Sequence, residues 1–115
     1  MEQLNRIELR GYVGSVSRYN GGDKPMVRLT LATSHAYKDK AGAAVIETTW
    51  HNVVAWEGKG TSDLDALEKG SRVYVCGRLK NQKYTGADGI DRMSYDVYAS
   101  KLNILDDNEL LQNEM

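Results

Sequence analysis

The chain alternates apolar and polar residues in five stretches, which is the pattern of half-buried β-strands. In the first stretch, residues 5–18, Ile7, Leu9 and Val13 recur at a period of two. The second is marked by Val27, Leu29 and Leu31, and the others cover residues 45–56, 72–84 and 91–105. Turn-forming sequences at 20–25, 38–42 and 85–89 separate neighbouring stretches. The pattern therefore predicts an all-β chain.

Two strand patterns contain an irregularity. Gly11 and Gly14 lie inside the first strand and predict a bend or a close backbone approach. In the last strand Met93, Tyr95 and Val97 share one parity, whereas Leu102 and Ile104 have the other. A β-bulge near Ser100 would let both sets face the same side.

A single helical pattern interrupts the strands. Gly58-Lys59-Gly60 ends the third strand, and Thr61 or Ser62 can cap a short helix that runs through Lys69, with Gly70 just beyond it. Leu64 and Leu67 give this helix one apolar side. Five strands with one short helix between the third and fourth is the order of the OB-fold barrel. Another small β-barrel is the alternative that this pattern leaves open.

Composition excludes several classes of protein. The chain has 115 residues, 41% of them hydrophobic and 27% charged, which is ordinary for one globular domain. No apolar run approaches the roughly 18 residues of a membrane-spanning helix, and the N-terminus lacks the apolar stretch of a signal peptide. The single cysteine, Cys76, cannot form an internal disulfide. We therefore expect a cytoplasmic protein.

The charge distribution is more informative than the net charge of −1. The last ten residues contain four acidic side chains and no basic one, which leaves 12 acids against 15 bases in residues 1–105. We accordingly predict an OB-fold domain over 1–105 and a short acidic C-terminal tail over 106–115. A mildly basic body permits nucleic-acid binding but is equally expected of a solubilised surface.

Strand parity separates a core face from a surface that mixes aromatic and basic side chains. In the third strand Trp50 and Trp56 point to the same side. In the fourth strand one side carries Val73, Val75, Gly77 and Leu79, and the other carries Arg72, Tyr74, Cys76, Arg78, Lys80, Gln82 and Tyr84. Aromatic residues interleaved with cations are typical of single-stranded nucleic-acid binding, because bases stack on the rings and phosphates meet the cations.

Most tyrosines and tryptophans of β-proteins belong to the core instead. We assign Tyr12, Tyr95 and Tyr98 to the core on that ground. Tyr37 and Tyr84 differ, because each flanks a polar loop with lysines beside it, Lys38 and Lys40 in one case and Lys83 in the other.

The sequence gives little support for a catalytic site. His35 and His51 have no carboxylate or cysteine at metal-ligand spacing, and neither Gly-Xaa-Ser-Xaa-Gly nor a phosphate-binding loop occurs. Cys76 has no evident activating partner. We therefore predict a protein that is not an enzyme and that has no metal and no cofactor.

These residues resemble the bacterial single-stranded DNA-binding proteins, from Asn5 to about Leu105. The shared motifs occur in the family's order and spacing. They are Leu29-Thr30-Leu31-Ala32-Thr33, Thr49-Trp50-His51-Asn52-Val53-Val54, Lys69-Gly70-Ser71-Arg72-Val73-Tyr74-Val75, Gly77-Arg78-Leu79 and Asp88-Gly89-Ile90-Asp91-Arg92.

The resemblance implies a role for particular side chains. It assigns base stacking to four aromatic residues at positions where the family has Trp or Phe, namely Tyr37, Trp50, Trp56 and Tyr84. Five lysines match positions where family members present a basic side chain to the phosphates, namely Lys40, Lys59, Lys69, Lys80 and Lys83. The strand pattern adds Lys38 and Arg78 to this set. The family assembles as homotetramers, with the His51 and Tyr74 positions at a subunit contact.

Two departures from the family also carry expectations. Asn52, Glu68 and Gln82 stand where members often have Arg, which predicts fewer phosphate contacts and a flatter salt dependence. Family members typically end in an acidic tip with Pro-Phe that recruits replication and repair enzymes. This sequence has no Phe, and its one proline is Pro25. We therefore do not expect recruitment through such a tip.

Two functional hypotheses follow. The first is sequence-tolerant binding of single-stranded DNA by a homo-oligomer, expected to be a tetramer, in support of DNA replication, recombination or repair. The second is an adaptor that resembles the short, tailless primosomal replication proteins of this fold and also binds replication proteins. The choice between DNA and RNA stays open.

Overall fold

The computed structural model describes residues 2–19, 24–58, 60–61 and 64–105. They form five strands and one turn of 3₁₀ helix. The strands are β1 (Ile7–Tyr19), β2 (Met26–Lys38), β3 (Ala44–Trp56), β4 (Arg72–Thr85) and β5 (Asp91–Leu105), and the 3₁₀ turn is Leu64–Ala66. The acidic tail predicted over 106–115 lies outside the described residues. The predicted strands and their order are confirmed.

The strands close into a barrel in the order β1-β2-β3-β5-β4. β3 and β5 pair in parallel, and all other neighbours pair antiparallel. The first half of β1 pairs with β4 and its second half with β2, so one bent strand joins the sheet at both ends. This arrangement is the five-stranded OB-fold barrel that the sequence pattern predicts.

The glycines of β1 occupy the irregular positions predicted for them. The pairing of β1 with β2 shifts register between Val13 and Ser15, which places a bulge at Gly14. A Cβ added to Gly11 would lie 2.0 Å from the carbonyl oxygen of Ala32. Only a residue without a side chain therefore fits at Gly11.

The predicted bulge in the last strand is also confirmed. Cys76 of β4 faces Lys101 of β5, but Gly77 faces Ala99, so Ser100 is the extra residue. Its hydroxyl donates a hydrogen bond to the carbonyl of Cys76 at 3.1 Å. The bulge explains why Val97 and Leu102, which have opposite parity, both reach the core.

The barrel interior is filled by aliphatic side chains from every strand, and one end is covered by Leu64 of the 3₁₀ turn and by Leu67 directly after it. The buried core residues are Val13, Val27, Leu29, Leu31, Val53, Ala55, Leu64, Leu67, Val73, Val75, Val97 and Leu102. The turn is shorter than the helix predicted to run through Lys69. Side chains three residues apart eclipse one another in a 3₁₀ turn, so a single turn already buries both leucines.

Two hairpin arms extend the sheet, because the distal parts of β2 and β3, and of β4 and β5, pair only with each other among the described residues. Tyr95 lies on the second arm and is 56% exposed, and Leu79 at its base is 41% exposed. Tyr12 on the outer side of β1 is 50% exposed. The core assignments of Tyr12, Tyr95 and Leu79 were therefore wrong. Tyr95 and Leu79 keep the parity of core residues but lie where their strands extend beyond the barrel, whereas Tyr12 alternates with the buried Val13 and points outward.

Candidate nucleic-acid interface

The outer surface of the barrel carries two parallel rows of side chains across four strands. The register aligns Arg78 of β4, Tyr98 of β5, Val54 of β3 and Arg28 of β2 in the first row. The second row, two residues along each strand, contains Lys80, Asp96, Asn52 and Thr30. These side chains alternate with core residues such as Val27, Leu29, Val53 and Val97, and so lie on the outer side of the sheet. Two of them, Val54 and Asp96, are nevertheless covered by their neighbours, each with 2% of its surface exposed.

Trp50 and Trp56 bound these rows at opposite ends, since each lies two residues beyond a row on β3. Both are exposed, and their six-residue separation corresponds to about 20 Å at roughly 3.3 Å per residue. We call this surface, from Trp50 across the two rows to Trp56, the tryptophan face. It presents two exposed indole rings with cations between them.

Tyr98 organises one end of the tryptophan face. Its ring lies 5.3 Å from that of Trp56 at 58°. The guanidinium of Arg78 lies 5.3 Å from the centre of the Tyr98 ring, and the Lys80 ammonium lies 4.9 Å from it. The amide nitrogen of Gln82 donates a hydrogen bond of 2.7 Å to the Tyr98 hydroxyl. One tyrosine thereby holds two cations beside the exposed indole of Trp56.

The assignment of Tyr98 to the core was therefore wrong, and sequence reasoning missed its role. The signal was present in the parity of β5, where Tyr98 alternates with the apolar Val97 and shares its side with Ser94 and Asp96. The general frequency of tyrosine in β-protein cores outweighed that pattern.

A buried carboxylate lies beneath the cations of this surface. Asp96 is 2% exposed, and its carboxylate lies 3.5 Å from the guanidinium of Arg28 and 3.4 Å from the hydroxyl of Ser94. Arg28, which alternates with Val27 and Leu29, was also missed at the sequence level. The buried Asp96 can fix the direction of the Arg28 side chain, which remains about half exposed.

Trp50 owes its position to the bulge in β1. A Cβ on Gly14 would lie 2.4 Å from Cζ3 of the Trp50 ring and 2.9 Å from the Thr30 hydroxyl oxygen. The ring therefore extends over the backbone of Gly14, with one side against the sheet and the other accessible.

The other two predicted stacking residues lie on the hairpin arms. Tyr84 is exposed near the end of β4 and belongs to the same alternate set as Lys80 and Gln82, so it extends the tryptophan face along the second arm. Tyr37 is exposed on the first arm and stacks on His35, with ring centres 6.0 Å apart. Its parity is opposite to that of Ala32, the partner of Trp50, so the structure does not place Tyr37 and Trp50 on one side of the ribbon.

The predicted phosphate contacts are dispersed. Of these cations, Arg78 and Lys80 lie on the tryptophan face. Lys38 and Lys40 lie at the tip of the first arm, where the Asp39 carboxylate accepts bonds of 2.9 Å from the backbone nitrogens of Ala41 and Ala43. Lys83 pairs with Asp91 at 3.5 Å, Lys69 lies in the turn before β4, and Lys59 lies outside the described residues.

The two predicted interface residues each have a polar partner within the chain. The His51 ring nitrogen Nε2 lies 2.8 Å from the Thr33 hydroxyl, and burial lowers the pKa of His51 below its usual 6.5. The Tyr74 hydroxyl donates a bond of 2.8 Å to Glu8, and this bond raises the pKa of Tyr74. Their place at a subunit contact stays a prediction.

Within the part of the chain that the structure describes, no three His, Cys, Asp or Glu side chains are grouped as a metal site would require. The same residues include no helix with the length and apolar character needed to cross a membrane.

Comparison with known proteins identifies relatives over most of the chain. The model of the Single-strand binding protein family matches residues 4–105. A single-stranded DNA-binding protein of Xanthomonas campestris is 36% identical over 104 residues, which cover 89% of this chain and 60% of that protein. One from Neisseria meningitidis is 34% identical with the same coverage. The chain thus spans about 60% of the length of these curated relatives.

Solved structures show the same barrel. Plasmodium falciparum SSB in complex with single-stranded DNA superposes with a TM-score of 0.76 at 26% identity, covering 92% of this chain and 98% of that one. A small single-stranded DNA-binding protein from Streptomyces coelicolor gives a TM-score of 0.66 at 27% identity, covering 91% and 96%.

Proposed function

The chain belongs to the single-strand binding protein family, and we propose that it binds single-stranded DNA with little sequence preference. The observation that carries this proposal is the tryptophan face. Two exposed indoles lie on one continuous sheet surface, and Arg28, Arg78 and Lys80 lie between them.

Each part of this surface has a distinct task in the proposal. Unpaired bases stack on Trp50 and Trp56, a contact worth about 1–3 kcal/mol per base that every base can make. Arg28, Arg78 and Lys80 neutralise the phosphates between the stacked bases. Because Asp96 and Tyr98 already hold these cations, little side-chain freedom is lost when DNA binds. Tyr84 prolongs the surface along the second arm.

The proposal describes binding without catalysis by a homo-oligomer in the cytoplasm. We propose a tetramer with His51 and Tyr74 at a subunit contact, and a task in DNA replication, recombination or repair. The adaptor hypothesis is not favoured, because the matching family model and the relatives and structures described above are all of single-stranded DNA-binding proteins.

Titration with oligo-dT of a few tens of nucleotides, followed by tryptophan fluorescence, tests the proposal. Trp50→Ala and Trp56→Ala should each weaken binding by about 1–3 kcal/mol. Tyr95→Ala is the matched control, because this exposed aromatic has the opposite parity to Tyr98 on the same strand. Absence of quenching at low salt would refute DNA binding.

Two further measurements resolve the finer claims. Competition between dT and rU strands of equal length decides between DNA and RNA. Light scattering of the unliganded protein gives the subunit number, and a stable dimer would count against the tetramer and in favour of the adaptor.

A further inference from the structure

Tyr19, at the end of β1, lies in the same cross-strand row as Trp56. The register pairs Tyr19 with Met26 of β2, and Met26 with Trp56 of β3. Tyr19 is 47% exposed. Neighbouring β-strands lie about 4.8 Å apart, so about 10 Å separates Tyr19 from Trp56. This is about half the distance between the two tryptophans, so a DNA strand that joins Trp50 to Trp56 can also continue to Tyr19.

The bulge at Gly14 decides the side of the sheet on which Tyr19 lies. Beyond the bulge, Ser17 pairs with Arg28 and Tyr19 with Met26. Arg28 belongs to the tryptophan face, and side chains two residues apart on a β-strand share one side. Ser17 and Tyr19 therefore lie on the same outer side of the sheet as the tryptophan face.

The Tyr19 ring is accessible, whereas the backbone that carries it is anchored. Arg18, directly before it, donates hydrogen bonds of 3.3 Å to the carbonyls of Leu64 and Asp65 in the 3₁₀ turn. Tyr19 lines two recesses, one of about 180 Å³ that it shares with Arg28 and one of about 240 Å³ that it shares with Leu64. A base can therefore approach the ring without displacing a packed side chain.

The smaller recess lies between Tyr19 and the tryptophan face, and we call it the β1 recess. Its polar lining residues are Ser15, Ser17, Tyr19, Arg28, Thr30 and Asn52, and none of the described residues that line it is acidic. The hydroxyl oxygens of Ser15 and Thr30 lie 3.0 Å apart. Because one hydroxyl donates to the other, the second O–H of this pair can donate to a further acceptor. Hydroxyl donors beside the Arg28 guanidinium suit a phosphate oxygen.

We propose that Tyr19 and the β1 recess form a further nucleotide site, in which a base stacks on Tyr19 and a neighbouring phosphate lies in the recess between Arg28 and Ser17. The inference rests on the proposed function and continues the DNA path from Trp56 onto β1. Neither the strand pattern nor the family resemblance assigns a role to Tyr19 or Ser17.

This site is separate from the subunit contact predicted for Tyr74. Tyr74 bonds to Glu8 and pairs with Arg10, both in the first half of β1. The β1 recess lies on the second half of β1, which pairs with β2. A subunit contact at Tyr74 therefore leaves the recess open to DNA.

Photo-crosslinking of the full chain to oligo-dT that carries 5-iododeoxyuridine tests where the DNA lies, because this base forms adducts with aromatic side chains in contact with it. Trypsin cleaves after Arg18, and Pro25 protects the bond after Lys24, so the peptide runs from Tyr19 to Arg28 with Tyr19 as its single aromatic residue. We expect an adduct on this peptide that is lost in Tyr19→Ala. Labelling of the tryptophan peptides without an adduct on Tyr19 would overturn the inference.

Affinity provides a second test. Tyr19→Ala should weaken oligo-dT binding by about 5- to 150-fold, which is the stacking increment of about 1–3 kcal/mol at about 1.4 kcal/mol per tenfold change. Tyr19→Phe keeps the ring and should bind like the parent, as should Tyr95→Ala, which removes an equally exposed aromatic from the second arm. Parental affinity of Tyr19→Ala would overturn the stacking role.

A third test places a negative charge in the recess. Ser17→Asp should weaken oligo-dT binding several-fold at low salt, because the added carboxylate repels the phosphate, and the loss should diminish as salt screens it. Asn81→Asp adds the same charge at an exposed site of opposite parity to Lys80 and should bind like the parent. Equal affinities of the two variants would overturn the phosphate position. Light scattering and urea denaturation verify that each variant keeps the subunit number and stability of the parent.

The two proposals fail in different ways. Fluorescence quenching in the parent with unaltered affinity in Tyr19→Ala would refute the site on β1 and leave DNA binding on the tryptophan face intact. Absence of quenching in the parent protein would refute DNA binding itself.

Discussion

Gly14 leaves room for the Trp50 ring, and a methyl group at this position would displace it. The closest atom to an added Cβ, at 2.4 Å, belongs to the far end of the exposed indole. The ring can move away without disturbing the core, so Gly14→Ala should change the free energy of unfolding little. We expect it instead to weaken oligo-dT binding by up to the stacking increment of about 1–3 kcal/mol.

Fluorescence and urea denaturation distinguish these two effects of Gly14→Ala. Gly58→Ala is the control, because an added Cβ there meets no atom within 4 Å. A Gly14→Ala protein with parental affinity and an unaltered emission spectrum would show that the Trp50 position does not depend on this glycine.

His51 provides a pH-dependent contribution to stability. Its pKa in the folded chain is lowered from 6.5 by burial, so the unfolded chain binds the proton more readily. The contribution is fully present above pH 6.5 and decreases as the pH falls toward the folded pKa. The midpoint of thermal unfolding should therefore fall more steeply between pH 7 and pH 5, a range of about two units around the usual histidine pKa, in the parent than in His51→Gln.

The matched control for this pH profile is His35→Gln, since His35 is the second of the two histidines and is exposed. Equal pH profiles for the parent and His51→Gln would contradict the role of His51.

At the scale of elements, Arg18 of β1 connects the barrel wall to the 3₁₀ turn. Its guanidinium donates to the carbonyls of Leu64 and Asp65 at 3.3 Å and also to that of Leu67. The Leu64 carbonyl keeps its bond from the backbone nitrogen of Leu67, but the partly buried Leu67 carbonyl loses the Arg18 donor, so Arg18→Met should lower the free energy of unfolding by about 1–3 kcal/mol. Methionine keeps much of the apolar stem of the side chain, so the loss reports mainly the hydrogen bonds.

Urea denaturation measures this loss, and Lys24→Met, which replaces an exposed cation before β2, is the control. Parental stability of Arg18→Met would mean that water satisfies these carbonyls equally well.

The elements themselves could be predicted because each depends on local alternation or spacing. Even the bulge at Ser100 followed from two apolar residues, Val97 and Leu102, that parity could not otherwise place together. The extent of the helix could not be predicted, since capping residues and two leucines three apart fit a helix and a single 3₁₀ turn alike. That choice depends on how the barrel end is closed.

Parity within a strand predicts which side chains of the candidate site point outward, but not which strands lie side by side. Trp50 and Trp56 share β3, so parity alone places them together. Tyr98 and Arg28 belong to the same surface through the pairing of β5 with β3 and of β3 with β2. These are contacts between residues distant in sequence, and alternation within one strand does not specify them. The stacking role of Tyr37 stays a prediction, because its likeness to a family position does not indicate which side of the arm it occupies.

At the scale of the whole molecule, the net charge of −1 conceals a local concentration of cations. Arg28, Arg78 and Lys80 lie on one outer surface, and the carboxylate among them, Asp96, is buried. A strand of DNA that crosses this surface therefore meets the exposed cations rather than the acid. The salt dependence of binding measures how many of them contact phosphates.

Asn52 lies at the centre of that path, exposed and in register with Thr30 and Asp96. Because the Asp96 carboxylate is covered and already lies against Arg28, a guanidinium at position 52 would point toward the bound strand. Asn52→Arg should raise affinity at low salt and increase the magnitude of the salt slope by about 0.7, the contribution of one phosphate contact on single strands. Asn81→Arg adds the same charge at an exposed site of opposite parity to Lys80 on β4 and should leave the slope unchanged. Equal slopes for Asn52→Arg and Asn81→Arg would show that the strand does not cross the centre of the tryptophan face, because only a cation on the path can release counterions from the DNA.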